Sequence, residues 1–330
     1  MQDLKFLKLA LRLSRKGIGF TEPNPMVGAV VVKDGAILST GYHRKFGDIH
    51  AERMALSGVD LAGTTLYVTL EPCCHFGKTP PCTDIIIEKK VKRVVIASVD
   101  PNPIVSGKGI RILKNNGIDV ELINGFPEQM HRELNRHYFT YTQKKRPYIA
   151  LRAGVSIDGK LTDKNRNASW MTSKRLRTLS HELRGEFSAV LSGYNTVKAD
   201  NPFLNLRSIH WKEKKLKRIV LDMENRLPCD MNIFLDQDRF PTYVFSSSEA
   251  ERRPKTKKHF FIEQKGGLFD LNTLLNILYK EGIASIYIES GGKLLSSFFK
   301  QRLFDELILF REKKLVGGKN AIELFSDGVL

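Results

Sequence analysis

The sequence predicts two successive α/β domains, and three observations carry that expectation. The chain has 330 residues, about twice the length of a usual single domain. Short apolar runs alternate with helix-period segments through both halves, the pattern of sheets layered with helices. A basic stretch, Lys144-Lys145-Arg146-Pro147, interrupts the alternation near the middle and reads as a linker, so the expected domains are residues 1–146 and 147–330.

In the first half, Leu4, Leu7, Ala10 and Leu11 recur at helical spacing, which predicts a helix over 4–16. Residues 26–32 form an apolar run of strand length. Lys33-Asp34-Gly35 is a turn, and residues 36–42 return as a second strand. Residues 50–57 are helical and Gly58 ends them. A strand over 64–70 stops at Glu71-Pro72, because proline lacks a ladder donor. A helix over 83–90, a strand over 93–99, a helix over 107–115 closed by Gly117, a strand over 119–123 and a helix over 128–140 complete the half. The second half reads as strand 148–155, helix 173–184, strands 188–192, 217–222 and 241–246, helix 270–281, strand 283–288, helix 292–300 and strand 306–311.

Composition is that of a folded enzyme-sized chain: 42% hydrophobic and 27% charged residues leave each half able to bury a core. No apolar run approaches the ~18 residues of a membrane span, and charges interrupt the N-terminal segment where a signal peptide would be apolar. A cytoplasmic protein with no membrane partner is expected. The net charge of +17 is spread almost evenly over the halves, +8 and +9, rather than gathered into one arm. Such a diffuse positive field suits attraction of phosphorylated small molecules. Of four cysteines, Cys73, Cys74 and Cys82 lie within ten residues and Cys229 is alone. Clustered cysteines in a reducing compartment point to metal or redox chemistry rather than disulfides.

His50-Ala51-Glu52 opens one helix, Pro72-Cys73 opens a loop, and Cys82 begins the next helix. One imidazole and two thiolates are the three protein ligands a catalytic zinc takes, with a fourth position left for water. Glu52, two residues from His50, can carry protons between that water and a ring nitrogen or a leaving amine. His50, Cys73 and Cys82 are therefore the expected ligands and Glu52 the catalytic residue. Cys74 is expected to be a bystander, since adjacent cysteines rarely share an ion. A structural zinc that recruits Cys74 or His75 as a fourth ligand is the competing arrangement. In the second half, Glu289-Ser290-Gly291-Gly292-Lys293-Leu294-Leu295 joins a strand to a helix, and a glycine turn at a helix N-terminus can receive a pyrophosphate. An ordinary tight turn explains that stretch equally well.

From Glu71 to Cys82 the chain reads Glu-Pro-Cys-Cys-His-Phe-Gly-Lys-Thr-Pro-Pro-Cys. Together with Pro23-Asn24-Pro25, Val27-Gly28, Gly41-Tyr42-His43, Asp100-Pro101-Asn102-Pro103 and Gly107-Lys108-Gly109, this resembles the bifunctional riboflavin-biosynthesis deaminase/reductase family. The departure is Cys74, where the family usually has serine. The resemblance implies a cytidine-deaminase-like three-layer α/β/α domain followed by a dihydrofolate-reductase-like α/β domain. It implies zinc-dependent deamination of a phosphoribosylated diaminopyrimidinone, whose pocket Asn24, His43, Lys78, Asp100 and Asn102 would line. Read without it, Asn24 and Asn102 merely shape turns beside prolines.

Further matches follow in the second half: Ser156-Ile157-Asp158-Gly159-Lys160, Trp170-Met171-Thr172-Ser173, His181-Glu182-Leu183-Arg184, Gly193 with Thr196, and Asp200-Asn201-Pro202 with Leu204 and Arg207. They imply NADPH-dependent reduction of the deaminated product, opening its ribosyl group to ribityl. Gly154, Trp170, Thr196, Asp200, Gly291, Gly292, Lys293, Leu294 and Leu295 would face the cofactor. Arg184, Leu204, Arg207 and Glu289 would face the substrate, with the arginines suited to its phosphate. Family members associate into homo-oligomers. Arg152, Ala168 and Met223 stand where lysine, serine and serine are usual, which motivates an alternative in which the reductase half has decayed. A second alternative is a nucleic-acid-editing zinc deaminase. It would call for basic stretches interleaved with aromatics, and the clusters at 212–218 and 252–258 have few, so no nucleic-acid partner is expected.

Overall fold

The structure is a computed structural model that describes residues 2–58, 61–77, 80–162, 172–247, 256–265, 267–318 and 321–325. The chain divides into two compact units, Met1–Lys145 and Arg146–Leu330.

The first unit runs α1 (Gln2–Ser14), β1 (Gly28–Lys33), β2 (Ala36–Tyr42), α2 (Ala51–Ala55), β3 (Thr65–Val68), α3 (Cys82–Glu88), β4 (Arg93–Ile96), α4 (Lys108–Asn115), β5 (Asp119–Leu122), α5 (Phe126–Leu134) and α6 (Arg136–Lys144). Its sheet has the order β2-β1-β3-β4-β5. β1 is antiparallel to both neighbours, while β3, β4 and β5 are parallel. The period-two alternation of each strand divides the core. Val30, Val32, Tyr67 and Val95 pack under Phe6, Leu7 and Ala10 of α1. Ala29, Val31, Leu66, Val68, Val94 and Ile96 pack on the other face with Ala51 and Ala55 of α2, Ile86 of α3 and Leu113 of α4. Three layers result, and α2 and α3 lie on the same face.

The helix expected over 128–140 is two helices that meet at Asn135. The Asn135 side chain leaves the helical pattern to bond the backbone of Met26, accepting its N–H at 2.7 Å and donating to its carbonyl at 3.0 Å. An asparagine that competes for backbone groups in this way favours a helix end over a helix interior.

Glu71, just beyond β3, is buried. Its carboxylate accepts backbone N–H bonds from Gly107 at 2.9 Å, Ile110 at 3.2 Å and Asp100 at 3.3 Å. The N-terminus of α4 therefore rests on the loop that carries Cys73, a favourable place for a negative charge. The fit leaves no room: a Cβ on Gly109 would lie 2.2 Å from the Pro72 carbonyl oxygen.

The second unit runs β6 (Tyr148–Val155), β7 (Lys160–Thr162), α7 (Lys174–Arg184), β8 (Ala189–Gly193), α8 (Tyr194–Asp200), β9 (Lys217–Leu221), β10 (Thr242–Ser246), β11 (Lys258–Phe261), β12 (Gln264–Lys265), β13 (Leu268–Phe269), α9 (Leu271–Lys280), β14 (Ser285–Glu289), α10 (Gly292–Lys300), β15 (Glu306–Arg311) and β16 (Ile322–Glu323). Seven strands form one parallel sheet in the order β11-β10-β9-β8-β14-β6-β15. Ile149, Leu151, Ile286, Ile288, Leu191 and Ile219 fill one face with Leu274, Leu278, Leu295 and Phe298 from α9 and α10. Two helices start on side-chain caps: the Ser173 hydroxyl accepts from Leu176 N–H, and the Asp270 carboxylate from Asn272 and Thr273. Sequence periodicity missed α8, β7, β11 and the small β12–β13 and β16–β7 pairings, all too short to carry a pattern.

Gly109→Ala is expected to lower the stability of the first unit by about 2 kcal/mol through overpacking and to weaken zinc retention by displacing the Cys73 loop. Urea unfolding and metal analysis of the purified variant check both.

Candidate active sites

In the first unit, the β3–α3 loop and the N-termini of α2 and α3 bring together His50, Cys73 and Cys82. His50 is the residue preceding α2 and Cys82 is the first residue of α3. His50 Nδ1 lies 3.3 Å from Cys82 Sγ and 3.5 Å from Cys73 Sγ, and all three donor atoms fall within 4.8 Å of one another. Ligands of a tetrahedral zinc, with Zn–N near 2.0 Å and Zn–S near 2.3 Å, stand roughly 3.5 Å apart. The donor set and its spacing thus fit zinc. Backbone bonds hold the loop closed, with Cys82 N–H donating to the Cys73 carbonyl at 3.0 Å. Arg53 of α2 donates to the carbonyls of Pro80 and Pro81 at 3.1 and 3.0 Å, tying α2 to the start of α3. Among the described residues no other group of this kind occurs, and neither Cys74 nor His75 belongs to it.

The close approach of the three donors governs their ionisation. The Cys82 thiol and His50 favour the Cys73 thiolate and hold its pKa down, while the same interaction and burial push Cys82 up. Glu52 is 4% exposed. Burial and the negative charge of Cys73 raise its carboxyl to about 7, a value suited to moving protons near neutrality.

His43 is buried, with Nδ1 on the Ile49 carbonyl at 3.1 Å and Nε2 without a partner among the described residues. Its ring meets that of His50 edge-on, 5.4 Å between centroids. Burial lowers its pKa, which favours the neutral imidazole. Asp100 is buried, its carboxyl raised to about 6 chiefly by desolvation, and it accepts from Tyr138 OH at 2.8 Å. Asn102 does shape a turn: its N–H donates to Asp100 and its side-chain oxygen accepts from Ile104 N–H. Asn24 is half-buried in the loop before β1. Lys78 lies outside the described residues.

In the second unit, a cleft of about 1140 Å³ opens at the carboxyl ends of β6, β8, β9 and β14, the place where open parallel sheets bind ligands. Gly154, Thr196, Asp200, Gly291, Gly292, Lys293 and Leu294 line it, as do Arg184, Leu204, Arg207 and Glu289. Leu295 does not: its side chain is fully buried against the sheet, because it faces inward from α10. Trp170 and Ala168 lie outside the described residues. At Gly292 a Cβ would stand 2.8 Å from the Glu323 carbonyl oxygen, so only glycine lets the helix start approach there. The cleft's size and this glycine turn at the start of α10 fit a dinucleotide phosphate.

Arg184 is more committed than the sequence suggests. Its Nε and Nη2 form a fork with Glu289 at 2.7 and 2.9 Å, and Nη1 donates to the Asn205 carbonyl. Burial alone would raise Glu289; the paired guanidinium outweighs it and holds the carboxyl low. Arg207 is exposed and is the more open cation. Arg152 lies over the Phe310 ring at 5.0 Å, and both it and Met223 face the cleft. Residues that sequence reasoning did not single out also line it, including His181, Tyr194 and Ser290. Tyr194 opens α8, too short a helix to leave a period. Leu204 adopts a positive φ of 46°, held by Arg218, which is 0% exposed and donates to the Phe203 carbonyl at 2.9 Å.

A three-layer α/β/α unit with a His-Cys-Cys metal triad and an adjacent buried glutamate defines a zinc deaminase, here joined to a reductase-type parallel α/β unit. Comparisons agree. The cytidine and deoxycytidylate deaminase zinc-binding region matches residues 1–98, and the RibD C-terminal domain matches residues 147–330. Riboflavin biosynthesis protein RibD of Aquifex aeolicus is 45% identical over 96% of this chain and 88% of its own length. The Escherichia coli protein of that name is 36% identical over 96% and 89%. A solved Thermotoga maritima diaminohydroxyphosphoribosylaminopyrimidine deaminase/5-amino-6-(5-phosphoribosylamino)uracil reductase is 40% identical, with a TM-score of 0.86 over 98% of this chain and 90% of that chain. Acinetobacter baumannii RibD superimposes with a TM-score of 0.90 at 36% identity, over 99% and 91%. The chain belongs to the RibD family, the bifunctional deaminase/reductases of riboflavin biosynthesis.

Cys82→Ser is expected to lose most bound zinc, whereas Cys74→Ser keeps about one ion per chain. Metal analysis of the two variants decides; zinc loss from Cys74→Ser would mean a fourth protein ligand.

Proposed function

We propose that the first unit deaminates a phosphoribosylated diaminopyrimidinone with Glu52 as its proton carrier, and that the second reduces the ribosyl group of the product to ribityl. The observation that carries this reading is the burial of Glu52 beside the His50, Cys73 and Cys82 donors. Those three residues would hold the zinc ion. A zinc ion in that position supplies Lewis acidity, which brings the pKa of water to about 7. Water then adds to the amidine carbon of the ring. Glu52 takes the first proton of that water and passes it to the ring nitrogen, then takes the proton of the new hydroxyl as it becomes a carbonyl and gives it to the exocyclic amine as ammonia leaves. His43 presents an unpartnered buried nitrogen to the substrate, and Asn24, Lys78, Asp100 and Asn102 read its polar edges and phosphate.

In the second unit, NADPH supplies a hydride for C1′ of the ribosyl group. The turn from Gly291 to Leu294, with Gly154, Trp170, Thr196 and Asp200, would hold the cofactor. Glu289, fixed by Arg184, sits at the cleft where the sugar would lie. Arg207 offers its guanidinium to the substrate phosphate. Ring opening leaves a hydroxyl where the ring oxygen was, so one proton accompanies the hydride. A decayed reductase finds no support in this cleft, since Arg184, Leu204, Arg207 and Glu289 all line it. Cytoplasmic location and homo-oligomeric association belong to the same reading: all four cysteines are free thiols, and association follows the family.

Glu52→Gln is expected to cut deamination by at least 10³-fold with zinc content unchanged, as loss of a proton carrier does. Asp200→Ala is expected to impair NADPH oxidation at least tenfold and to spare ammonia release. Separate assays of ammonia and of NADPH absorbance on each variant test the assignment of one activity to each unit.

A further inference from the structure

The break between α5 and α6 places three side chains of one helical turn against two different segments of the first unit. Asn135, 2% exposed, grips both backbone groups of Met26. His137 Nδ1 lies 2.6 Å from Glu22 Oε1, a contact largely shielded from solvent. Met26 and Glu22 are each two residues from Asn24, so the Asn24 loop is pinned on both sides. Tyr138 OH donates to Asp100 Oδ1, the oxygen that also accepts Asn102 N–H. The second segment, 100–102, is thereby fixed from the same turn.

The sequence position of this turn is informative. The zinc-binding region shared with cytidine and deoxycytidylate deaminases spans residues 1–98, which contains His50, Glu52, Cys73 and Cys82. Asp100, Asn102 and all of α4–α6 lie beyond it. The metal chemistry is thus encoded in the common part, and the supports of the flanking loops in the extension. We propose that Asn135, His137 and Tyr138 are positioning residues that set substrate affinity at the deaminase by fixing the Asn24 loop and the Asp100 carboxylate. This rests on the reading above in which Asn24 and Asp100 touch substrate. None of the three needs to reach the substrate itself. Each replaces freedom of a pocket wall by a bond formed in advance, which lowers the ordering cost of binding.

Tyr138→Phe removes one hydroxyl and keeps the ring, so folding is preserved. In the full-length zinc-loaded protein, KM for the phosphoribosylated diaminopyrimidinone is expected to rise five- to tenfold, the size of one ordinary lost hydrogen bond. The deaminase kcat and the zinc content should stay within twofold. Asn135→Asp, which turns the donor facing the Met26 carbonyl into an acceptor, should act in the same direction. An unchanged KM in Tyr138→Phe overturns the inference, as does a parallel fall in kcat and zinc content. Asp100→Asn separates the two levels. A raised KM there with none in Tyr138→Phe rejects the positioning role alone, and no effect in Asp100→Asn rejects the pocket assignment and the inference together.

Discussion

The buried Glu71 carboxylate is the constraint on which the deaminase unit depends. It lies just beyond β3, precedes the Cys73 loop, and accepts three backbone N–H groups from the 100–110 segment. A carboxylate with three such donors is well compensated for burial. Through it, the strand that delivers Cys73, the turn that presents Asp100 and the start of α4 become one rigid body. Catalysis requires a metal donor, a proton carrier and substrate contacts in fixed relation. Here that relation is set by a residue with no chemical part in the reaction.

A comparable arrangement occurs in the second unit. The Arg184–Glu289 fork joins α7 to the end of β14, and Arg184 also holds the Asn205 carbonyl. Arg218 bonds Phe203, Phe240, Thr242 and Asp236 from a fully buried position. Its guanidinium geometry reaches several acceptors at once, which a lysine could not do. These two arginines fix a loop in which Leu204 takes a left-handed backbone conformation, a costly one for a branched residue. The cation excess therefore has a local use besides attracting phosphorylated ligands.

Much of this was legible in the residues. The His50, Glu52, Cys73 and Cys82 pattern was readable because metal ligands must come from helix starts and loops at particular spacings. Strands of the parallel sheet were readable because burial on both faces demands continuous apolar runs. What stayed hidden depended on contacts between distant segments. Tyr138 and Asn135 sit at positions of an amphipathic helix where core packing is the ordinary explanation, and the helix break has no glycine or proline to announce it. Glu71 showed itself only as a strand stop and a motif residue, since its three N–H donors come from a segment some thirty residues away. Leu295 lies in a glycine-rich motif, yet helical phase turns it inward, a distinction that motif reading ignores. Arg184 showed its charge but not that most of its hydrogen bonding is internal.

The parallel sheet also bears on synthesis of the chain. β6 opens the second unit, yet its two sheet neighbours are β14 and β15, which are among the last strands made. Until Glu289 has left the ribosome, β6 has neither flank covered, and its second flank waits for Arg311. Pairings so distant along the chain are slow to form, and exposed strand edges invite association with other nascent chains. The deaminase unit, complete by Lys145, faces no such wait. Order of emergence thus gives the earlier half a head start in maturation, and leaves the later half the more exposed to chaperones, proteases and self-association.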